Sequence, residues 1–546
     1  MPRRGALGLG IICGCSLIGL FILVGCVSGT PTPTGIPTRH TLSSDTPTVK
    51  ATYGATETAS VTATPAPTYT AGPELTPTDT FIPLTPMPTL SSSPTPTSTP
   101  HPMVTAFETT MVIPTYPYQK HLVWEVAPAF GIRFLRLDWG AYEAAGPQPT
   151  AQTYRAIVLE NDYLKLTLLP DLGGRVYQCI FKPTGRGVLY NNPVIKPTRW
   201  GPKEQGWWLA VGGIEYGLPV EEHGYETAIP WAFEIRQSPA EISVRMTDST
   251  EGGRLRATVE IVLPAGEARF FLRPRLENGT AHELSLKYWT NAMIALGGAN
   301  RVSDGVQFII PGNQVTVHSS GDETLPQPGQ AMSWPVWNGR DMSRPANWRN
   351  WLGFFERPQA SHSFAGIYDH RTDEGIVRVF PPEITKGVKG FGFGRGPAAL
   401  SPSLWTDDDS SYVELHGGLA PTFDDVYTLP AGGVVEWEEI WFPAAGLGGM
   451  MLAGPSGAAN LQWEPGRQGL MLILAFNRRW EGEAAILLAG DKAAVFPVRA
   501  EPGRWLQLPL PPAREPAAGA PIEIQLSTAG GQVETWAGPY RPPKNK

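Results

Sequence analysis

The stretch Thr258–Asn278, TVEIVLPAGEARFFLRPRLEN, alternates apolar and polar residues on both sides of a Pro-Ala-Gly-Glu turn. Successive side chains of a strand point to opposite faces, so this alternation describes two strands with one face on a core, folded back on each other. The device recurs in YTLPAGGVVEWEEIWFP, and similar runs (YLKLTLLP, ISVRMT, LSLKYWTNAMIAL) follow one another between Gly, Pro, Asn and Asp. From Thr110 onward there is little pattern of helical period. Short strands at this spacing predict an all-β, antiparallel sandwich. A Gly/Ala-rich passage, PAAGLGGMMLAGPSGAANLQW, interrupts the pattern and places a boundary near Gly449. Beyond it, about seven short strands in roughly a hundred residues have the size of a small immunoglobulin-like sandwich, expected as an accessory domain over 450–546.

The N-terminal part cannot share this core. Arg3 and Arg4 precede an apolar run, Ile11–Val24, which ends in Leu23-Val24-Gly25-Cys26. A short hydrophobic run closing on small residues is a secretory signal. The Leu-Val-Gly-Cys ending resembles the lipobox of bacterial lipoproteins, which implies a signal over 1–26 and acylation of Cys26. The expected location is therefore extracytoplasmic, with the chain lipid-anchored to the bacterial cell membrane. Residues 27–105 are dominated by Thr, Pro, Ser and Ala. Such a segment holds too little apolar surface to offset its ordering entropy and is expected to be a disordered tether. The remaining roughly 440 residues exceed a usual single domain.

Charge and cysteine content exclude several classes. A net charge of -7 without a basic run argues against nucleic acid as a partner. Of four cysteines, Cys13 and Cys15 leave with the signal and Cys26 carries lipid. Cys179 remains alone in an apolar strand, so neither an internal disulfide nor a cysteine metal cluster is expected. The oxygen-rich stretches TDDD (Thr406–Asp409) and YDHRTDEG (Tyr368–Gly375) lack the ligand spacing of a calcium loop and read as solvated turns. No metal and no cofactor is expected. Eighteen Trp, sixteen Tyr and twenty Phe are compatible with stacking against sugar rings.

The region from about Met111 to Gly449 resembles the bacterial family called domain of unknown function 5107, within the galactose mutarotase-like superfamily. The motifs that carry the resemblance, in order, are YRAIVLENDYLKLTLLPDLGGRVYQCIFKPTGRGVLYNNPVIKP, VGGIEYGLP, SWPVWNGRDMS, GIYDHRTDEGIVRV and LWTDDDSSYVELHGGLAPTFDD. The resemblance implies a mutarotase-like domain over 106–449, an antiparallel β-supersandwich whose concave face binds carbohydrate. Sugar epimerases of this fold carry a His-Gly turn before a Trp-bearing strand, and EHGYETAIPW matches it with His223. They carry a glutamate late in the domain, which YVELHGGLAP matches with Glu414, although His416 stands where Gln is usual. Their second histidine follows an Asn; here WTNAMIAL keeps Asn291 and has Ala292 in the next place, which implies that the usual acid position is empty.

Anomer interconversion needs a base for the anomeric hydroxyl and an acid for the ring oxygen, which a carboxylate and a histidine supply near neutral pH. Glu414 is the candidate base, with His223 as its partner. Glu215, in the Gly-rich GGIEYGLP, either forms a carboxylate pair with Glu414 suited to glycoside cleavage or hydrogen-bonds a turn. His416 shares a strand face with Glu414 and is read as a substrate-binding residue. Arg175, charged inside an apolar strand, either forks onto sugar hydroxyls or backs a strand-end acid. Trp337, Asn338 and Trp405 complete the substrate-binding candidates, as apolar plates beside hydrogen-bonding groups. Two readings follow: a tethered carbohydrate receptor, and an epimerase or glycoside-cleaving enzyme using Glu414 with His223 or Glu215.

Overall fold

The computed structural model describes residues 103–248, 251–357, 359–360, 362–394, 399–511 and 514–542. The expected signal, Cys26 and nearly all of the 27–105 tether lie outside them. The described chain is all-β: strands follow one another from Val104 to Pro539, and the single α-helix, Trp139–Ala144, has six residues.

Two large sheets form the main layers. The first has 14 strands and runs, in part, Gln314–Ser320, Leu352–Arg357, Gly387–Gly392, Val413–Gly418, Trp289–Ile294, Ile214–Gly217, Arg175–Phe181, Leu164–Leu169. The second has nine and includes Glu241–Thr247, Leu255–Pro264, Phe270–Asn278, Glu439–Ala445, Glu374–Val379 and Phe364–Asp369. The alternation in Thr258–Asn278 is realised as the antiparallel pair Leu255–Pro264 with Phe270–Asn278, where Val259, Ile261, Leu272 and Leu276 turn to the core. Facing them from the large sheet are Ile214, Ala292 and Leu415, which lie in register across three strands. This shared layer holds the sheets together. Residues one position away on those strands face the other side of the large sheet, and that parity builds the site.

A buried ion pair on the nine-stranded sheet lies within the core layer. Arg378 and Glu439, both fully buried, are joined by two hydrogen bonds of 2.8 and 2.6 Å. The carboxylate also accepts from the indoles of Trp437 and Trp441, so it is well saturated. The guanidinium lies flat beneath Gly417, where any Cβ would strike it.

From Leu452 the chain forms two four-stranded antiparallel sheets around a core of their own, with Leu474, Trp480, Ile524 and Trp536 at its centre. The Gly/Ala-rich passage leading into them is well packed. Leu447 and Met450 lie in a buried cluster with Phe364, Tyr368, Val377 and Phe442 of the nine-stranded sheet and with Ala458, Met471 and Ile473 of the C-terminal sheets. Cys179 is buried, and burial pushes its thiol up to about 12, so it behaves as a small apolar side chain.

Candidate functional site

The site grows from one rung of the large sheet. Glu215 is paired with Asn291, Asn291 with His416, and His416 with Lys389, so four polar side chains from four adjacent strands stand in a row. Two residues along the same face come Met293, Glu414 and Phe391, again in register. The opposite face of these strands is apolar core. A row of buried polar groups persists only when its members satisfy each other.

They do so as a chain. Glu215 accepts from Nδ1 of His223 at 2.6 Å, from the Trp208 indole at 3.2 Å and from Asn291 at 3.2 Å, and lies 3.3 Å from Arg175. The Asn291 amide also reaches Glu414 at 3.5 Å. On its other oxygen Glu414 meets His416 Nε2 at 2.9 Å and Lys389 Nζ at 3.9 Å. Lys389 lies 3.3 Å from that same His416 nitrogen and 3.8 Å from Glu222, which is 3.4 Å from His318. The chain is buried at Glu215, His416 and Lys389, while Glu222 and His318 keep about a third of their side chains in solvent (33% and 28%) and form its open end.

The turn carrying His223 explains its own glycines. Gly217 and Gly224 meet backbone to backbone, and a Cβ on Gly224 would fall onto the Leu218 peptide. Gly224 and Glu222 both take left-handed backbone angles, φ 62° and 58°. The turn thus folds back against the end of its own strand and delivers His223 against the Trp208 ring, stacked at 4.0 Å and 21°. With Nδ1 held by Glu215, Nε2 is the imidazole atom left for a ligand.

Charge states follow from these contacts. Burial alone favours neutral forms. Burial works against the His223 cation, but the Glu215 carboxylate, with Glu222 and Glu414, raises its pKa above the ordinary histidine value. Burial works to raise the Glu414 carboxyl, yet His416, Lys389 and His223 hold it well below the usual range. For His416, burial and the Lys389 charge prevail over Glu414 and push it down to about 4, so at neutral pH it is an uncharged donor to Glu414. His416 is therefore no proton reserve at neutral pH. The cleft presents an imidazole whose pKa is raised by neighbouring carboxylates and a carboxylate held in its ionised form.

The structure brings together Glu215, His223, Asn291, Glu414 and His416, with Arg175 behind them. Of the two readings for Arg175, it supports the backing role: its donors go to the carbonyls of Leu172, Gly212 and Thr227, and it is fully buried against Glu215. Three candidates stand apart. Trp405 is buried, stacked on Phe393 at 3.9 Å, so that face of its ring is covered by protein. Trp337 belongs to a separate two-stranded hairpin, and Asn338 is exposed in its turn. Ala292 is a correction of another kind. Its side chain lies in the inter-sheet core, so it marks no vacant acid position; the cleft-facing residue there is Asn291. Lys389, Trp208 and His318 were missed. Lys389 sits in a Gly-rich run, KGVKGFGFG, whose strand character gives no sequence cue.

The two acidic stretches are tied up locally. Asp407 pairs with Lys196 at 2.8 Å and accepts from Tyr116, while Asp408 caps the backbone of Ser410. Asp369 accepts from Ser303 and the Arg371 backbone. Among the described residues no group of three or more His, Cys, Asp or Glu is placed to hold a metal ion.

Residues 137–427 match the family described as Domain of unknown function (DUF5107). The chain belongs to that family. The match lies inside the stretch, Met111 to Gly449, over which the sequence motifs resemble it, and it contains every residue of the cleft described above. Among solved structures, DUF5107 here is similar to a TPR-domain containing protein from Parabacteroides distasonis, at 21% identity and a TM-score of 0.52, over 62% of this chain and 55% of that one. The chain thus spans about half the length of that structure, and the likeness is one of fold. A putative aldose 1-epimerase from Klebsiella pneumoniae matches at 14% identity and a TM-score of 0.38, over 62% of this chain and 91% of that one. A galactose mutarotase-like protein from Clostridium acetobutylicum matches at 11% and 0.37, over 54% and 96%. Likeness of that order leaves the chemistry to be argued from the cleft itself.

Proposed function

We propose that the cleft of the large sheet binds a carbohydrate and exchanges protons at its anomeric centre. The observation that supports this is the pairing of opposite charge states on one cleft: His223, steered by Glu215 to present Nε2, beside Glu414, kept ionised by Lys389 and His416. In this reading the Glu414 carboxylate takes the proton of the anomeric hydroxyl while His223 Nε2–H protonates the ring oxygen. The C1–O5 bond breaks, the open chain rotates about C1–C2, and the reverse transfers close the other anomer. Glu215 is a positioning residue, because its oxygens are committed to His223, Trp208, Asn291 and Arg175. That commitment speaks against Glu215 and Glu414 acting as a glycosidase pair.

The tethered receptor is the second reading, favoured by how little of the polar row is open: the Glu414 and His223 side chains are 7% and 8% exposed. Calorimetry on a sugar panel, with NMR of anomeric exchange, separates the two in the wild-type protein and Glu414→Gln. Binding retained with exchange lost, by at least ~100-fold, supports the enzyme. Binding without exchange in either protein makes it a receptor, and no binding to any sugar sinks both. We further propose that the chain is a lipoprotein held at the membrane by acylated Cys26, a reading supported by the Leu-Val-Gly-Cys motif and the Thr/Pro-rich segment after it. Radiolabelled fatty acid should enter the wild type and not Cys26→Ala.

A further inference from the structure

The open end of the polar row has no part in the proton transfers above, yet it is built from charged groups on three separate elements. Lys389 stands at its centre. Its ammonium lies 3.9 Å from Glu414, 3.8 Å from Glu222 and 3.3 Å from His416 Nε2, and 4.7 Å from the centroid of the Phe423 ring. The side chain is 3% exposed. A buried ammonium is tolerated when carboxylates and aromatic faces replace its water, and both are present.

Its two carboxylate partners belong to opposite halves of the site. Glu414 is the proposed base, on the Val413–Gly418 strand beside Lys389. Glu222 immediately precedes His223, in the turn that leaves the Ile214–Gly217 strand, and reaches across two intervening strands to Lys389 and on to His318. His318 faces inward because the Gln314–Ser320 strand bulges there, between Val317 and Ser319, and its ring packs edge-on against Phe355 and Phe423. The backbone at Glu222 is left-handed, φ 58°, a conformation that costs a non-glycine residue free energy and needs contacts to offset it. The holding contacts are Lys389 and His318.

We propose that Lys389 is a positioning residue that joins the two halves of the cleft: its ammonium holds the Glu414 side chain on one side and, through Glu222, latches the turn that carries His223 on the other. This deepens the reading of Glu414 and His223 as base and acid. It accounts for a lysine on the rung beside His416, where its charge faces two carboxylates. His416 stands beside the pair, its Nε2 2.9 Å from the Glu414 carboxylate and 3.3 Å from the ammonium. Glu222 then has two states, latched on Lys389 and His318 or released, and a ligand group entering past it must compete for the same ammonium.

The test reads the imidazoles, so it stands apart from any sugar assay. The His416 and His223 rings are followed by NMR titration in the full-length wild type, Lys389→Met and Lys389→Arg. In the wild type His416 should titrate near 4. In Lys389→Met its midpoint should rise from there, because the Lys389 repulsion is gone and only burial still opposes the Glu414 attraction, and Lys389→Arg should restore it. An unchanged midpoint in a folded Lys389→Met protein overturns the inference. Glu222→Gln alters only a partly exposed carboxylate and tests the latch even if the lysine variant does not fold. Amide exchange over residues 220–224 should quicken by about tenfold or more as the turn opens locally, and exchange at the wild-type rate overturns the latch. If no sugar binds yet both results appear, the proposed function falls and the electrostatic coupling stands.

Discussion

Replacing Glu215 by glutamine tests whether the row is held by charge or merely by shape. The substitution keeps volume and one acceptor, but it removes the negative charge that faces Arg175 at 3.3 Å and His223 at 2.6 Å. Both partners are buried, Arg175 completely. Removing one member of a buried ion pair costs ~3–5 kcal/mol, chiefly because the other charge is left without compensation. Arg175 retains three backbone carbonyls, so the low end applies, about 3 kcal/mol or a factor of ~100 in the folding equilibrium. The pH dependence is a second signature. His223 has a raised folded pKa, so its contribution to stability is full below 6.5 and is lost as the pH rises through the folded value. Glu215 has a lowered one, so its contribution is present above 4.5 and is lost as the pH falls through the folded value. Glutamine removes both slopes. Urea unfolding followed by tryptophan fluorescence, at several pH values from 4 to 9, reads both effects. A variant within about 1 kcal/mol of wild type, with the wild-type pH profile, would refute the reasoning, because the row would then owe nothing to ionisation.

Two other perturbations probe the frame around the cleft. A chain ended at Gly449 uncovers Phe364, Tyr368, Val377 and Phe442, each worth ~1.5–3 kcal/mol when buried. It should bind a hydrophobic dye and aggregate, and a monodisperse product melting like the full chain would show that the C-terminal sheets add nothing. Glu226, buried with Asp248 beside Arg254, is raised by burial and by that second carboxylate to about 8. Its contribution is therefore full below 4.5 and is lost as the pH rises through about 8, and Glu226→Gln should flatten the alkaline fall in melting temperature; a fall as steep as in wild type would contradict the shared-proton arrangement.

How much of this is readable from the chain depends on the separation that each feature spans. Glu414 and His416 sit two apart on a strand, so their shared face follows from periodicity alone, and they meet at 2.9 Å. The His-Gly turn is likewise local. Glu215 joining His223 requires the turn to fold back onto its own strand, and Lys389 joining Glu414 requires a strand pairing that no local pattern specifies. Aromatic content misleads for the same reason. Trp405 and Trp337 are sugar-friendly by type, but burial against Phe393 removes one and a separate hairpin holds the other. The Ala292 expectation fails by a single position. Reading the strand one residue out of phase exchanges cleft for core, which is why Asn291, not its neighbour, contacts both carboxylates.

The glycines show the same lesson from the other side. GVKGFG and HGG look like loop sequence, since glycine is depleted in strands and costs backbone entropy there. Here they are adjacent strands of the site, Gly387–Gly392 and Val413–Gly418, and each glycine yields its volume to a neighbour. On the cleft face, Gly387 and Gly418 leave room for the Trp289 indole, which lies across both. On the core face, Gly417 leaves room for the Arg378 guanidinium, so the strand carrying Glu414 and His416 rests directly on the buried Arg378–Glu439 pair. A side chain at either place would lift that strand off its support and shift both polar residues relative to Lys389 and Asn291. The absence of side chains therefore sets the height of the Glu414 carboxylate as surely as the hydrogen bonds set its direction.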